Sequence, residues 1–143
     1  MTSSTTSSQF RLPLVATALA DAVLIVVFAT VGRMSHAEGI TLLGVADTAW
    51  PFLAGAAVGW SLLYVYARVG SSDWFGARSF RPERVIPFGV AVWLFTVVVG
   101  MVLRRVSHQG TATSFIIVAT IVLGLFLLGW RILASRLYQL SKR

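Results

Sequence analysis

An Arg-x-Ser-His tetrapeptide that occurs twice carries the side chains most suited to chemistry in this sequence. The two copies contribute Arg33, Ser35, His36, Arg105, Ser107 and His108. Guanidinium groups bind carboxylates and phosphates, hydroxyls hydrogen-bond to the same ligands, and imidazoles titrate near neutral pH. Each copy closes a long apolar run, so we expect the six residues to meet in one polar site, the outer rim, which would receive an anionic solute or a lipid head group.

A structural role for the same residues is the alternative to binding. Arg and His near the C-terminal end of a helix interact favourably with its carbonyls, and long basic side chains reach the membrane interface. His36 and His108 without a clear carboxylate partner fall short of a complete metal-ligand set; Glu38 and Asp47 could contribute, but nothing in their spacing requires it. No nucleophile or nucleotide motif stands out, so we expect no metal, no cofactor and no enzymatic activity.

Asp21 is the only acidic residue inside any of the apolar runs. An ionised carboxylate at mid-depth in a bilayer is costly unless it has a partner, and Arg33 is roughly 18 Å further along the same helix. We predict a mid-membrane polar cluster of residues at similar depth, comprising Asp21, Trp60, Trp93, Thr96 and Thr120. Such a cluster would either gate or relay protons, or fix the packing of the helices.

Composition is that of a membrane protein. The chain has 143 residues, 57% of them hydrophobic and 12% charged, with a mean hydropathy of +0.81, which is too apolar for a soluble domain of this length. Cysteine is absent, which excludes disulfides and cysteine metal sites. The basic residues behind the net charge of +7 lie at the edges of apolar runs, as the positive-inside rule expects, so we expect no nucleic-acid binding.

Four apolar segments approach the roughly 20 residues that a transmembrane helix needs. They cover about 12–31, 48–67, 85–103 and 114–133 and predict an all-α membrane protein with one four-helix domain, in which Asp47 and Thr48 are candidate N-caps. Residues 1–11 have the composition of a disordered tail, and 134–143 form a basic tail. The apolar segment 40–45 is too short to span and predicts an interfacial or re-entrant element.

The basic residues also predict an orientation. One side of the membrane would hold Arg11, Arg68, Arg78, Arg81, Arg84, Arg131, Arg136, Lys142 and Arg143, and the other Arg33, Arg104 and Arg105. Cytoplasmic segments are enriched in Lys and Arg. The ratio of nine to three predicts that both termini are cytoplasmic and that the chain crosses the cell inner (plasma) membrane four times.

The two halves of the chain resemble each other beyond the tetrapeptide, since Gly59-Trp60 recurs as Gly129-Trp130. We predict two parallel helical-hairpin repeats related by an axis along the membrane normal. Gly55 and Gly59 form a GxxxG motif, which lets helices approach closely. The motif would serve packing within the chain or, alternatively, a homo-oligomer seam.

Several ordered motifs extend over residues 12 to 133. They are Asp21, Phe28 to His36, Trp50 to Gly55, Gly59-Trp60, Gly100 to Arg104, and Gly129-Trp130-Arg131. In these motifs the chain resembles a family of small prokaryotic membrane proteins, domain of unknown function 3054. The resemblance implies a four-span protein and transfers neither an activity nor site residues.

Asp21 and the outer rim favour a small transporter or permeation protein for an anionic or protonatable solute. The alternative is a non-enzymatic accessory or assembly subunit of a larger membrane complex, for which short loops and small-residue helix faces suffice. In either role the expected partners are the lipid bilayer and a homo-oligomer or larger membrane complex.

Overall fold

The computed structural model describes residues 12–35, 39–69 and 80–141. These residues form four long helices, α1 (Leu14–Ser35), α2 (Leu42–Val69), α3 (Val90–Val106) and α4 (Thr113–Leu140), and they contain no strand. All four helices are long and apolar enough to cross a membrane, with α3 taken together with the turn before it. The prediction of an all-α, multi-pass membrane protein is confirmed, while the predicted tail at 1–11 lies outside the described residues.

Side-chain contacts show that consecutive helices run antiparallel and define two ends of the bundle. At the loop end, the end of α1 and of α3 meet the start of α2 and of α4, and Gln109 donates to the main-chain oxygen of Asp47 over 3.0 Å. At the opposite, terminal end, the start of α1 meets the later parts of α2 and α4. There Arg131 of α4 donates to the main-chain oxygen of Pro82 over 2.8 Å.

Apolar side chains from all four helices fill the centre of the bundle. The buried core consists of Ile25, Phe28, Phe52, Ala56, Val97, Ala119, Leu123 and Leu127. Phe28 packs edge-on against Phe52, with ring centroids 5.4 Å apart, and the ring of Phe115 lies 6.2 Å from that of Phe52. Lipid is as apolar as this core, so close van der Waals packing holds the helices together in a membrane.

Helix α2 begins earlier than the sequence predicts. Its first residue is Leu42, because the hydroxyl of Thr41 accepts a hydrogen bond from the main-chain N–H of Gly44 over 3.1 Å and so caps the helix. The predicted caps Asp47 and Thr48 lie inside α2. The segment 40–45 therefore leads into the first turn of this helix, and its interfacial or re-entrant placement stays a prediction.

The third and fourth spans also differ from their predicted bounds. Residues 85–89 form a distorted turn in which Ile86 is extended, with φ −117° and ψ 132°, because the residue before a proline is hindered from the α conformation. The regular helix α3 starts at Val90. Helix α4 continues to Leu140, through most of the segment predicted as a basic tail, because no glycine or proline interrupts it after Gly129.

Helices α2 and α3 share the most extensive contact of any pair of described elements. A Cβ atom on Gly55 would lie 2.9 Å from the main-chain oxygens of Phe95 and Thr96, and one on Gly59 would lie 2.9 Å from the Cβ of Phe95. The two glycines of the GxxxG motif thus allow the backbone of α2 to contact α3 within this chain.

Candidate functional site

A buried ion pair joins α1 to α4 near the terminal end of the bundle. The Nη1 and Nη2 atoms of Arg131 donate to different carboxylate oxygens of Asp21, each over 2.7 Å. Both residues are buried, with Arg131 0% and Asp21 1% exposed. Two parallel, charge-assisted bonds of this kind form the strongest contact between a guanidinium and a carboxylate.

Two tryptophans complete the hydrogen bonding of Asp21. Trp60 of α2 donates to Oδ2 over 3.1 Å, and Trp130 of α4 donates to Oδ1 over 2.9 Å. Each carboxylate oxygen therefore accepts one bond from Arg131 and one from an indole. These are the tryptophans of the recurring Gly-Trp pair, and we call Asp21, Trp60, Trp130 and Arg131 the charged centre.

Main-chain groups hold Arg131 in place. Its Nε donates to the oxygen of Pro82 over 2.8 Å, and its Nη1 also donates to the oxygen of Leu127, one turn earlier in α4, over 2.6 Å. Gly89 makes room for the side chain, because a Cβ atom there would lie 2.8 Å from the Cδ of Arg131. Arg131 thus ties α4 both to α1 and to the segment that leads into α3.

The hydrogen-bond pattern is that of an ionised Asp21. A protonated carboxyl carries an O–H that needs an acceptor, whereas the four groups bonded to Asp21 in the described part of the chain are N–H donors. A proton relay through Asp21 would first have to break these bonds. The charged centre thus joins α1, α2 and α4 through hydrogen bonds to one carboxylate.

The residues predicted to form one mid-membrane cluster lie in separate places. Trp60 contacts Asp21, but Trp93 donates to the main-chain oxygen of Thr120 over 3.0 Å, and the hydroxyl of Thr96 bonds to its own helix. Asp21 lies two turns into α1, roughly 10 Å from the start of a helix roughly 33 Å long. The charged centre is thus nearer the terminal end than the predicted mid-depth.

A second polar site, a cavity of about 370 Å³, opens at the loop end of the bundle. Arg33 of α1 and Arg104 of α3 both line it, and we call it the arginine cavity. Its other lining residues are Phe28, Ala29, Gly32, Thr48, Gln109, Gly110, Ala112, Ser114, Phe115 and Val118. The cavity therefore combines a polar rim with an apolar floor, which is the usual chemistry of a small-molecule site.

Neighbouring groups fix the position of Arg104. Its Nη1 donates to the side-chain oxygen of Gln109 over 3.1 Å and its Nη2 to the main-chain oxygen of the same residue over 3.2 Å. The guanidinium carbon lies 4.4 Å from the centroid of the Phe115 ring, a favourable cation–π distance. Gln109 in turn donates to Asp47, so the cavity wall is linked to the start of α2.

Arg33 reaches the cavity from the last turn of α1. Its Nε donates to the main-chain oxygen of Gly39 over 3.2 Å. A Cβ atom on Gly44 would lie 2.6 Å from the guanidinium carbon of Arg33, so the glycine lets this side chain lie flat against α2. Arg33 is thus held at the cavity wall by main-chain contacts.

Arg33 lines the same cavity as Arg104, and not the one that Arg105 lines. The predicted pairing of Arg33 with Arg105 is therefore replaced by a pairing with Arg104. Arg105 and His108 border a surface depression of about 480 Å³. Successive residues of a helix point about 100° apart, so Arg104 faces the bundle while Arg105 is exposed. The repeat of the tetrapeptide predicts Arg105 as the residue equivalent to Arg33, whereas the side chain that faces the same cavity is that of Arg104.

Ser107 and His108, two further members of the predicted outer rim, do not border the arginine cavity. Ser107 donates from its hydroxyl to the main-chain oxygen of Leu103 over 2.8 Å, within the end of α3. His36 and the side chain of Ser35 lie outside the described residues. Across those that are described, no group of three or more His, Cys, Asp or Glu residues is placed to hold a metal ion.

Sequence reasoning missed Arg131 and Trp130 as partners of Asp21. Arg131 was assigned to the cytoplasmic side although it falls within the predicted span 114–133. Its position inside a span could have indicated its partner, because an arginine inside a span pairs with an acidic residue and Asp21 is the one acidic residue in the predicted spans. The recurrence of Gly-Trp was the signal for Trp130.

Comparison with known proteins gives one family match. No curated protein matches the chain, and neither does any solved structure. Residues 18–134, most of the chain and all four members of the charged centre, match the family described as "Protein of unknown function (DUF3054)". The chain therefore belongs to the DUF3054 family.

Proposed function

We propose that this membrane protein binds a small organic anion in the arginine cavity and acts as a small, non-enzymatic transporter or permeation protein. The observation that carries the proposal is the position of Arg33 and Arg104 on the wall of one open cavity. Guanidiniums offer planar pairs of donors that match a carboxylate or a phosphate. Thr48 and Ser114 add hydroxyls to the same lining.

The floor of the cavity narrows the choice of solute. Phe28, Ala29, Phe115 and Val118 line it with apolar atoms, and a volume of about 370 Å³ is at the lower end of the range for small-molecule sites. An anion with an apolar body fits this lining better than a bare inorganic ion, because its body removes apolar surface from water.

Movement of the solute through the bundle would require a second conformation. Below the cavity the rings of Phe28, Phe52 and Phe115 pack against one another, and further down the charged centre joins α1 to α4. This conformation is open at the loop end and closed at the terminal end. If the terminal end is cytoplasmic, as the distribution of Lys and Arg predicts, the solute would enter from outside.

One observation favours the alternative, an accessory or assembly subunit of a larger membrane complex. Both oxygens of Asp21 already accept hydrogen bonds from donors of the same chain, so these donors link α1 to α2 and α4. A bundle whose buried charges only hold helices together would present a stable surface to a partner and would bind no solute.

Binding of benzoate by the protein in nanodiscs of neutral lipid tests the proposal. Benzoate has a carboxylate on an apolar ring, and benzamide is the matched probe of similar shape without the charge. We expect titration calorimetry to detect benzoate and not benzamide. In the Arg33→Gln/Arg104→Gln variant, benzoate affinity is expected to fall at least tenfold, roughly the effect of losing one charge-assisted hydrogen bond.

Two outcomes would reject or redirect this function. Equal binding of benzoate and benzamide, or unchanged affinity in the arginine variant, would remove the anion site. Benzoate binding without benzoate uptake into proteoliposomes, together with a stoichiometric partner in mild detergent, would favour the accessory subunit. Uptake that the arginine variant loses would favour the transporter.

A further inference from the structure

The arginine cavity is bordered by the membrane-facing surface of α4. Val118, one of its lining residues, is 53% exposed, and Ile121 and Leu125 on the same face of α4 are 56% and 68% exposed. Residues three and seven positions apart share one helix face. An apolar track therefore continues from the cavity along the part of α4 that would contact lipid chains.

Different groups occupy the boundary between α1 and α4 at the two ends of the bundle. Near the terminal end the two helices are joined by the ion pair of Asp21 and Arg131 at 2.7 Å. Toward the loop end, Gly32 of α1 and Ser114 of α4 line the cavity that lies between the two helices. A Cβ atom on Gly32 would meet nothing within 4 Å, so this glycine faces open space.

We propose that the arginine cavity binds an anionic phospholipid, with its phosphate between Arg33 and Arg104 and one acyl chain leaving between α1 and α4 along the Val118 track. This inference rests on the anion-binding part of the proposed function, with the lipid phosphate occupying the arginine pair in place of a small organic anion. Two guanidiniums at the end of the spans match the charge and the depth of a phosphate head group. The apolar floor of Phe28 and Phe115 matches the upper part of a chain.

Native mass spectrometry in neutral detergent can test the lipid directly. The probes are phosphatidylglycerol, which is anionic, and phosphatidylcholine, which has the same phosphate and chains but no net charge. We expect one phosphatidylglycerol molecule per chain to survive detergent removal and phosphatidylcholine to be lost. In the Arg33→Gln/Arg104→Gln variant, retention of phosphatidylglycerol should fall at least tenfold.

Gly32→Leu fills the cavity without removing a charge, and Gly129→Leu is its matched control. Gly129 also lies in a helix with nothing within 4 Å of an added Cβ, but it does not line the cavity. We expect retention of phosphatidylglycerol to fall at least tenfold in Gly32→Leu and to be unchanged in Gly129→Leu. Melting temperatures of both variants show that each is folded.

The outcomes separate this inference from the proposed function. Equal retention of the two lipids, or full retention of phosphatidylglycerol in Gly32→Leu, would overturn the lipid site. Should benzoate still bind under those results, the anion site stands and only its lipid ligand is refuted. Failure of both benzoate and phosphatidylglycerol to bind the parent protein would overturn both proposals together.

Discussion

The molecule contains arginines in two opposite environments. In the charged centre, Arg131 is fully enclosed and donates four hydrogen bonds to groups of its own chain. In the arginine cavity, Arg33 and Arg104 border an open space of about 370 Å³. The enclosed guanidinium stabilises the fold through its carboxylate partner, whereas the two guanidiniums on the wall of the open cavity are the basis of the proposed anion site.

The largest effect is expected from breaking the charged centre. Asp21→Asn removes the carboxylate and leaves Arg131 buried without a counter-charge, which costs about 3–5 kcal/mol when one partner of a buried pair is lost. We expect a large drop in melting temperature and in the amount of folded protein, measured by fluorescence-detected size exclusion. Asp47→Asn, at an exposed acid of the loop end, should change neither by much.

A double variant sharpens this prediction. Asp21→Leu/Arg131→Met removes both charges and is expected to recover much of the loss, because apolar replacement of a whole buried pair is often neutral. If Asp21→Asn melts at the temperature of the parent protein, the charged centre does not clamp the bundle. In that case the contrast between the two arginine environments fails.

The tryptophans of the charged centre should give the next largest effect. Trp60→Phe removes the hydrogen bond to Oδ2 of Asp21, and Trp130→Phe removes the one to Oδ1. A hydrogen bond to a charged group contributes about 1.5–3 kcal/mol to the free energy of unfolding. Trp93→Phe is the control, because its N–H bonds to the neutral main-chain oxygen of Thr120. We expect the melting temperature to fall further in Trp60→Phe and Trp130→Phe than in Trp93→Phe. An equal fall in all three variants would contradict a special role for Asp21.

A pair of glycines compares the two regions by sterics alone. Gly32 lies inside α1 and Gly89 has helical backbone angles, φ −59° and ψ −45°, so the backbone accepts alanine at both positions. The new Cβ at residue 89 would lie 2.8 Å from Arg131, whereas the one at residue 32 meets nothing within 4 Å. We expect Gly89→Ala to destabilise the protein by about 1–3 kcal/mol and Gly32→Ala to be neutral or slightly stabilising. Equal melting temperatures for the two variants would show that Arg131 is not confined as described.

The sequence predicts the helices far better than it predicts the sites. Length and hydropathy are enough to place four spans, because every backbone group in lipid must be satisfied within a helix. The start of α2 at Leu42 depends on one side-chain cap by Thr41, which hydropathy does not register. The end of α4 is missed for a related reason, since hydropathy falls at residue 133 while the helix continues to Leu140.

The site residues depend on which way side chains face, and a single sequence gives that only indirectly. Asp21 and Trp60 are recognisable as polar groups inside spans and are indeed in contact. Arg131 also lies inside a predicted span and could be recognised in the same way, but the orientation argument counts it among the cytoplasmic basic residues. Arg104 could not be preferred over Arg105 without the rotation of α3, because both stand at the same end of the same helix.

The smallest effect, and the most direct contrast between the two regions, is the response to salt. Screening weakens interactions of charges that contact solvent and leaves enclosed pairs nearly unchanged. We expect the Kd for benzoate to rise a few-fold between low and physiological concentrations of sodium chloride, while the melting temperature of the unliganded protein stays almost constant. Sucrose at equal osmolality is the control for effects of the solvent on folding. A melting temperature that falls with salt, beside a Kd that does not change, would reverse the assignment, because the charged centre would then be the region open to solvent and the arginine cavity the closed one.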